Sequence, residues 1–346
     1  MPTFQLPVRF RPDFRTLLKR ITTVAPRDPK LTVGLDIGST SVKVVALGQG
    51  RGSRKRSILG QNLASLSGTP GTDATEAVRS AVSTLQLPIR SVNLSVSGQW
   101  VIMRVVEMPP MKPAELKQAL PFEAQRYLPF NIDEVVLDGV ALGPAEGNKS
   151  WVLIVACKKD LIERRLDWVK RAGLEPALID VDALALANAY LEGGSDGVPE
   201  DGRRALLDVG GQLSNLVVFK GRVPYLVRDI PWGGDKMVRH VADQLGADVD
   251  TVAQQLAQGA VSPEVQNATR LTCEGLVAEL QLSFDYFENR FGQPPEAVLV
   301  SGGLSQSTAF LEALRSHLPQ NVSPWSPTGG LSGQFAVAYG LALRTD

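Results

Sequence analysis

The chain has 346 residues, with 36 Lys plus Arg against 36 Asp plus Glu, 44% hydrophobic residues and 21% charged. That balance excludes general disorder, and the length calls for two or more lobes rather than one core. Two cysteines, Cys157 and Cys273, exclude a disulfide framework and point to a reducing compartment, and no apolar run approaches the roughly 20 residues of a membrane-spanning helix.

Residues 1–30 form a basic extension with seven basic residues against two acids, net +5, which leaves net −5 on the remainder. Phe14, Leu17, Leu18 and Ile21 recur at helical spacing behind Pro12, so residues 12–22 read as a short amphipathic helix. Two uses are open: contact with an anionic membrane surface or partner groove, or folding back on the acidic body. No second basic surface with interleaved aromatics follows, so nucleic acid is not expected as a partner. Arg51, Arg54, Lys55 and Arg56 read as a solvated hairpin tip. No secretory leader is visible, because Phe4–Phe14 is broken by prolines and arginines.

Leu31–Leu47, LTVGLDIGSTSVKVVAL, is an apolar β-rich run, an Asp-x-Gly turn and a second apolar run. Ala205–Phe219, ALLDVGGQLSNLVVF, repeats it: Asp36 matches Asp208, Gly38 matches Gly210 and Val45 matches Val217, all 172 residues apart. A hairpin with an acid ending its first strand suits phosphate chemistry. Glycine lets backbone N–H groups approach a phosphate, Ser39 and Thr40 add hydroxyls, and two such acids would hold hydrated Mg²⁺ against a nucleotide. Asp-x-Gly is common turn punctuation, so the weight rests on the duplication.

Between the copies, Asn93–Ser97 and Val101–Met108 read as paired strands about Ser97–Gln99. Pro113–Leu128 reads as a helix interrupted by Pro121, Val135–Leu142 and Trp151–Lys158 as strands, and Asp160–Ala172 as a helix closed by Gly173. Met103, Met108 and Met111 cluster here and suit either a packed core or an adaptable apolar groove. After the second copy, Ala297–Ser301 is a strand leading through Gly302 and Gly303 into a helix ending near His317. Phe335–Leu343 reads as a buried Ala/Leu-rich helix. Walker A, H-E-x-x-H, C-x-x-C and G-x-S-x-G patterns are absent.

Asp36–Lys43, Asp208–Asn215 and Leu299–Gln306, in that order, resemble the phosphate-1, phosphate-2 and adenosine motifs of the actin and heat-shock-chaperone ATPase superfamily. The resemblance implies an α/β fold of two actin-like lobes hinged around Mg-ATP. It places a small inserted α/β subdomain where FtsA-like proteins carry theirs. The expected division is residues 31–90, 178–203 and 322–346 for the first lobe, 91–177 for the insertion and 204–321 for the second lobe.

Glu123-Ala124, Tyr127, Pro129-Phe130, Glu134-Val135 and Asp138 make E-A-x-x-Y-x-P-F-x-x-x-E-V-x-x-D. With Ile179–Asp182 and Arg228-x-Ile230-x-x-Gly233-Gly234, this resembles the PilM family of bacterial type IV pilus assembly, over residues 31–346. The resemblance implies ATP and Mg²⁺ as cofactors. Asp36, Gly38, Ser39, Thr40 and Lys43 would form one phosphate loop and Asp208, Gly210, Gly211 and Gln212 the other. Gly302 and Gly303 would lie at the adenosine, with Gly233 and Gly234 approaching from the second lobe; Asp36 and Asp208 would hold Mg²⁺ through water. Lys43 either neutralises phosphate or points outward. Asp182 takes the place of the residue that positions water in hydrolytic relatives, or caps its own helix. Leu213, Asn215 and Leu304 depart from the superfamily pattern.

The expected function is an ATP-binding scaffold, at most a slow ATPase, in the bacterial cytoplasm at the inner membrane. Its expected partner is the N-terminal tail of a PilN-like membrane protein, held between the first lobe and the insertion; pilus motor ATPases are a further candidate partner. An FtsA-like filament protein and a small-metabolite kinase are the alternatives.

Overall fold

The computed structural model describes residues 31–49, 56–66, 73–193, 201–258 and 261–345. The amphipathic 12–22 segment and Arg51, Arg54 and Lys55 lie outside the described residues. The chain divides into two units, one of Met1–Gly193 with Val337–Asp346, the other of Gly194–Ala336.

The first unit opens with β1 (Leu31–Ile37), β2 (Ser41–Gln49) and β3 (Arg56–Ser65), an antiparallel meander, then α1 (Thr75–Ser83) and β4 (Ser91–Val96). Its insertion holds β5 (Val101–Met108), α2 (Pro113–Ala124), β6 (Val135–Ala145), β7 (Lys149–Lys158) and α3 (Lys159–Arg171). The chain then returns through β8 (Glu175–Val181) and α4 (Asp182–Gly193). The main sheet has the order β3-β2-β1-β4-β8, with β4 and β8 parallel to β1; β5-β7-β6 form a separate antiparallel sheet.

Contrary to the expectation from sequence, β4 does not pair with β5 as a hairpin: it lies in the main sheet, so the insertion begins after it. Parallel pairing joins segments far apart in sequence, and nothing local announces it. Helix α2 runs through Pro121 to Ala124, and Glu115 accepts the Lys112 N–H at its start (2.8 Å). Met103 and Met108 are buried, and Met108 packs with Val106, Leu116, Leu120 and Ile154 while Met111 lies against that cluster. The core reading therefore holds for Met103 and Met108.

The second unit repeats the first sheet. β9 (Arg203–Val209), β10 (Ser214–Lys220) and β11 (Val223–Ile230) form the meander. Helices α5 (Gly234–Leu245), α6 (Val249–Gln258) and α7 (Pro263–Phe291) lead to β12 (Ala297–Gly302), α8 (Thr308–His317) and β13 (Asn321–Pro324). The order β11-β10-β9-β12-β13 reproduces that of the first sheet, strand for strand. Because β13 pairs parallel with β12, residues 322–336 stay with the second unit, and the return to the first comes at Val337 rather than 322. Leu207, Val209, Leu216, Val298 and Val300 of the sheet share a core with Cys273, Leu276, Leu280 and Phe287 of α7 and Phe310 of α8.

Helix α9 (Ala336–Ala342) completes the first unit. Two glycines admit it. A Cβ on Gly34 would stand 2.0 Å from the Ala338 carbonyl oxygen, and one on Gly340 would stand 1.8 Å from that of Ala185. Helix α4, with Ala183–Ala187 all fully buried, is the apolar rod beneath it. Polar groups then fix the segment that follows. Asn93 Nδ2 donates to the Leu341 and Arg344 carbonyls (2.9 and 3.0 Å), Arg56 Nη1 donates to those of Ala342 and Leu343 (3.2 and 3.0 Å), and the buried Arg344 pairs with the buried Asp180. Arg56 is thus a structural clamp and not part of a solvated tip. Among the described residues no helix is long and apolar enough to cross a membrane.

Candidate functional site

In each unit the candidate residues gather at the carboxyl ends of parallel strands, the edge at which open α/β sheets bind ligands. In the first unit β1 ends at Asp36–Ile37, β4 runs into Ser97, and β8 runs into Asp182. Gly38 N–H donates to the Ser41 carbonyl (3.0 Å), closing the turn that carries half-buried Ser39 and exposed Thr40. A Cβ on Gly38 would come within 3.1 Å of that carbonyl oxygen. Lys43 lies opposite Asp36 in the strand register, and its Nζ stands 2.9 Å from Asp36 Oδ2. Of the two readings of Lys43, the structure has it turned onto the acid.

Asp182 is the first residue of α4 and is only partly open to solvent. Burial, then the charge of Asp36, push its carboxyl above the ordinary carboxylate range, while the hydroxyls of Ser95 and Ser97 and the Arg165 guanidinium pull it back. Its field is therefore that of the Asp36 cluster. Arg165 comes from α3; burial lowers its pKa, and Asp182 and Asp36 oppose that shift. Its guanidinium lies over the Trp168 ring (5.2 Å), and its Nε is buried without an acceptor. Two acids and two cations make this a charge-balanced cluster.

In the second unit the acid has the same setting. Asp208 sits beside Ser301 in the parallel register, and Ser301 Oγ donates to Asp208 Oδ1 (2.7 Å). The register of the first sheet, continued by one residue, puts Asp36 beside Ser95 in the same way. Asn215, opposite Asp208 on the other side, donates through Nδ2 to Asp229 Oδ1 (2.7 Å). Asp208, Asn215 and Asp229 thus form one cross-strand row.

Gly210 N–H donates to the Leu213 carbonyl (3.0 Å), the counterpart of the Gly38–Ser41 bond, and Gln212 is exposed at the tip. The Gly234 and Asp235 N–H groups, at the start of α5, donate to the Gly210 and Gly211 carbonyls (2.9 and 2.8 Å). A Cβ on Gly233 would lie 2.4 Å from the Gly211 carbonyl oxygen. These two glycines therefore dock helix to hairpin, which uses N–H groups that a phosphate would otherwise take. Gly302 has φ +87°, and a Cβ there would lie 2.3 Å from the Val209 carbonyl oxygen; Gly303 N–H donates to that same oxygen (3.1 Å). Leu304, which replaces a frequent glycine, packs on Gly234.

The structure brings together Asp36, Gly38, Ser39, Thr40, Lys43 and Asp182 in one unit, and Asp208, Gly210, Gly211, Gln212, Gly233, Gly234, Gly302 and Gly303 in the other. Sequence reasoning missed Ser95, Ser97, Arg165, Ser301 and Asp229. Ser95 and Ser301 hold equivalent places near the ends of equivalent strands but are 206 residues apart rather than 172, because the helices between strands differ in the two units. A single alignment offset therefore passes over them.

The chain matches the family model for the type IV pilus assembly protein PilM over residues 34–346. Among solved structures it is similar to a PilM-PilN type IV pilus biogenesis complex, with TM-score 0.76 and 25% identity over 90% of this chain and 97% of that one. The ethanolamine utilization protein EutJ from Carboxydothermus hydrogenoformans matches with TM-score 0.55 and 16% identity over 95% and 96%. A ROK family glucokinase from Streptomyces griseus in complex with glucose and AMPPNP matches with TM-score 0.51 and 15% identity over 90% and 98%. The latter two speak for the fold, an actin-like ATPase architecture of mixed sheets flanked by helices. With nearly the whole chain under the family model and the acidic hairpins at both sheet ends, the protein belongs to the PilM family of type IV pilus assembly proteins.

Proposed function

We propose that this chain is a nucleotide-binding scaffold of the type IV pilus machinery that captures the cytoplasmic N-terminal tail of a PilN-like membrane protein. The observation that carries the reading is the paired placement of Asp36 and Asp208, each ending the first strand of its sheet beside a tight glycine turn. The donor set fits Mg-ATP. Among the described residues no three His, Cys, Asp or Glu side chains converge as a metal cage, so a divalent ion would need phosphate oxygens and water besides these acids. When bound, the ion neutralises phosphate charge. Lys43 and Arg165 balance Asp36 and Asp182 meanwhile, and Ser39 and Thr40 offer hydroxyls at the turn tip. Asp182 is the residue to position a water, one methylene shorter than a glutamate.

The solved PilM-PilN complex supports a PilN tail as partner, and with it a place in the cytoplasm beside the inner membrane. Nucleotide state would act on the tail through the junction of main sheet and insertion, where α3 carries Arg165 toward the Asp36 cluster. Pilus motor ATPases and a membrane contact by residues 12–22 belong to the same proposal. Calorimetry with Mg-ATP tests the first part: saturable binding is expected, lost in Asp36→Asn and Asp208→Asn. A labelled PilN-like peptide tests the second, with binding expected to survive removal of residues 1–30. No heat from any adenine nucleotide, or a tail bound only through the basic arm, overturns the corresponding half.

A further inference from the structure

Helix α3 follows directly from β7 of the insertion and lies against β4 and β8 of the main sheet. Its inward face carries Ile162, Leu166, Trp168 and Val169, all buried. Arg165 falls among them, three residues after Ile162, three before Trp168 and four before Val169, where an apolar residue would complete the face. Because α3 leads into β8, which is parallel to β4, the helix runs antiparallel to both strands. Helical side chains tilt toward their own N-terminus, which leans Arg165 toward the carboxyl ends of those strands, where Ser97 and Asp182 stand.

Arg165 is half-buried as a whole, but its Nε is shut off from solvent without an acceptor, and among the described residues it makes no hydrogen bond or ion pair. Its guanidinium lies instead over the Trp168 ring at 5.2 Å. Desolvation lowers its pKa and the charges of Asp182 and Asp36 oppose that fall, so Arg165 stands in the field of the phosphate-loop cluster while bonded to neither acid. Lys43, the other cation there, is already held 2.9 Å from Asp36. Unmet donors on a desolvated cation cost stability, and the arrangement suits an anion that arrives from outside.

We propose that Arg165 distinguishes a nucleoside triphosphate from a diphosphate: its guanidinium leaves the Trp168 ring and donates to the terminal phosphate. The inference deepens, and rests on, the nucleotide reading above. A planar fork of donors suits a phosphate better than an ammonium does. The two acids and two cations of the cluster balance, so the charge of a further phosphate calls for a cation not already bonded, and that is Arg165 rather than Lys43. Helix α3 is also tied at both ends. At its start Lys159 Nζ donates to the Asp133 carbonyl (2.5 Å), and Lys158 pairs with Glu134 (3.3 Å) against the Trp100 and Phe130 rings. At its end Arg171 pairs with Asp73 (2.6 Å), and Arg79 Nη2 donates to the Arg171 carbonyl (2.9 Å). One strut thus joins insertion and main sheet, and Arg165 at its middle lets the insertion register how many phosphates are bound.

Calorimetry on the full chain compares a non-hydrolysable ATP analogue with ADP, both with Mg²⁺. Wild type is expected to prefer the triphosphate. Arg165→Met is expected to lower triphosphate affinity about 10–100-fold, the worth of a charge-assisted contact, while ADP affinity falls far less. Arg165→Lys keeps the charge and loses the fork; it is expected to retain part of the preference, and it keeps the test open if Arg165→Met folds poorly. Intrinsic fluorescence follows the ring: the triphosphate is expected to shift the emission of wild type, and Trp168→Phe is expected to lose that shift. Equal affinity of wild type for both nucleotides, an Arg165→Met chain that loses affinity for both alike or for neither, or an emission shift that persists in Trp168→Phe overturns the role of Arg165 and leaves the nucleotide reading standing. No heat from either nucleotide in wild type overturns both.

Discussion

Replacing Arg344 with Met should unfold the first unit at a markedly lower temperature. Asp180 is fully buried in β8, and Arg344 is 3% exposed, so solvent does not screen the pair. Asp180 Oδ1 accepts the Val181 N–H (2.8 Å), Oδ2 meets Arg344 Nη1, and Arg344 Nε is buried without an acceptor. Removing the cation leaves a carboxylate in an apolar core, which costs roughly 3–5 kcal/mol. For a unit of this size that is a fall of roughly 6–20 °C. Burial already pushes the Asp180 carboxyl up while Arg344 pulls it back, so the variant holds it higher still. A raised folded-state value stabilises below the unfolded value and loses that stabilisation as pH rises through the folded one. The defect is therefore largest near neutrality and shrinks on acidification. The assay is calorimetric unfolding at several pH values, with the double variant Asp180→Leu, Arg344→Met as partner. The double variant should recover most of the loss, since an apolar pair needs no desolvation. A single variant within about 1 kcal/mol of wild type at neutral pH, or a double variant no better than the single, refutes the reasoning.

Gly340→Ala should cost about 1–3 kcal/mol or more, read by urea titration, because its Cβ would lie 1.8 Å from the Ala185 carbonyl oxygen and α9 would have to shift. Asp73, held down to about 2 from 3.8 by the Thr75 hydroxyl and then by Arg171, contributes stability above pH 3.8 that vanishes as pH falls toward 2. Asp73→Ala should therefore differ from wild type at neutral pH and converge with it in acid. Asn215→Asp would lose the bond to Asp229 and set three acids in a row, which lowers stability by about 1–3 kcal/mol near neutrality; added Mg²⁺ should restore the melting temperature in this variant more than in wild type. Phosphate release from Mg-ATP should be slower than about 1 per second and fall further in Asp182→Ala; rapid turnover counts against a switch.

The duplicated hairpins were legible because an acid, a glycine and two apolar runs keep fixed local spacing in both copies. What the sequence hid was non-local. β4 and β13 join their sheets through parallel pairing, so neither strand carries a mark of its neighbour. Ser95 and Ser301 matter only through the acid on the adjacent strand. Arg165 reads as one more charge on an amphipathic helix, and only folding brings it near Asp36 and Asp182. Asp229 gains meaning from Asn215, fourteen residues earlier, across a β-ladder. Gly233 and Gly234 were identifiable as constrained, but their constraint is helix docking.

The segment after Val337 closes a unit whose other strands are made some 150 residues earlier. On the ribosome, β1 must wait with Gly34 uncovered, and Asn93 and Asp180 without their partners, until nearly all of the second unit has been synthesised. That second unit is continuous and can fold first as a block. Biogenesis thus runs against chain order, and a nascent protein stalled before α9 would display the apolar floor of its earliest sheet to chaperones and proteases.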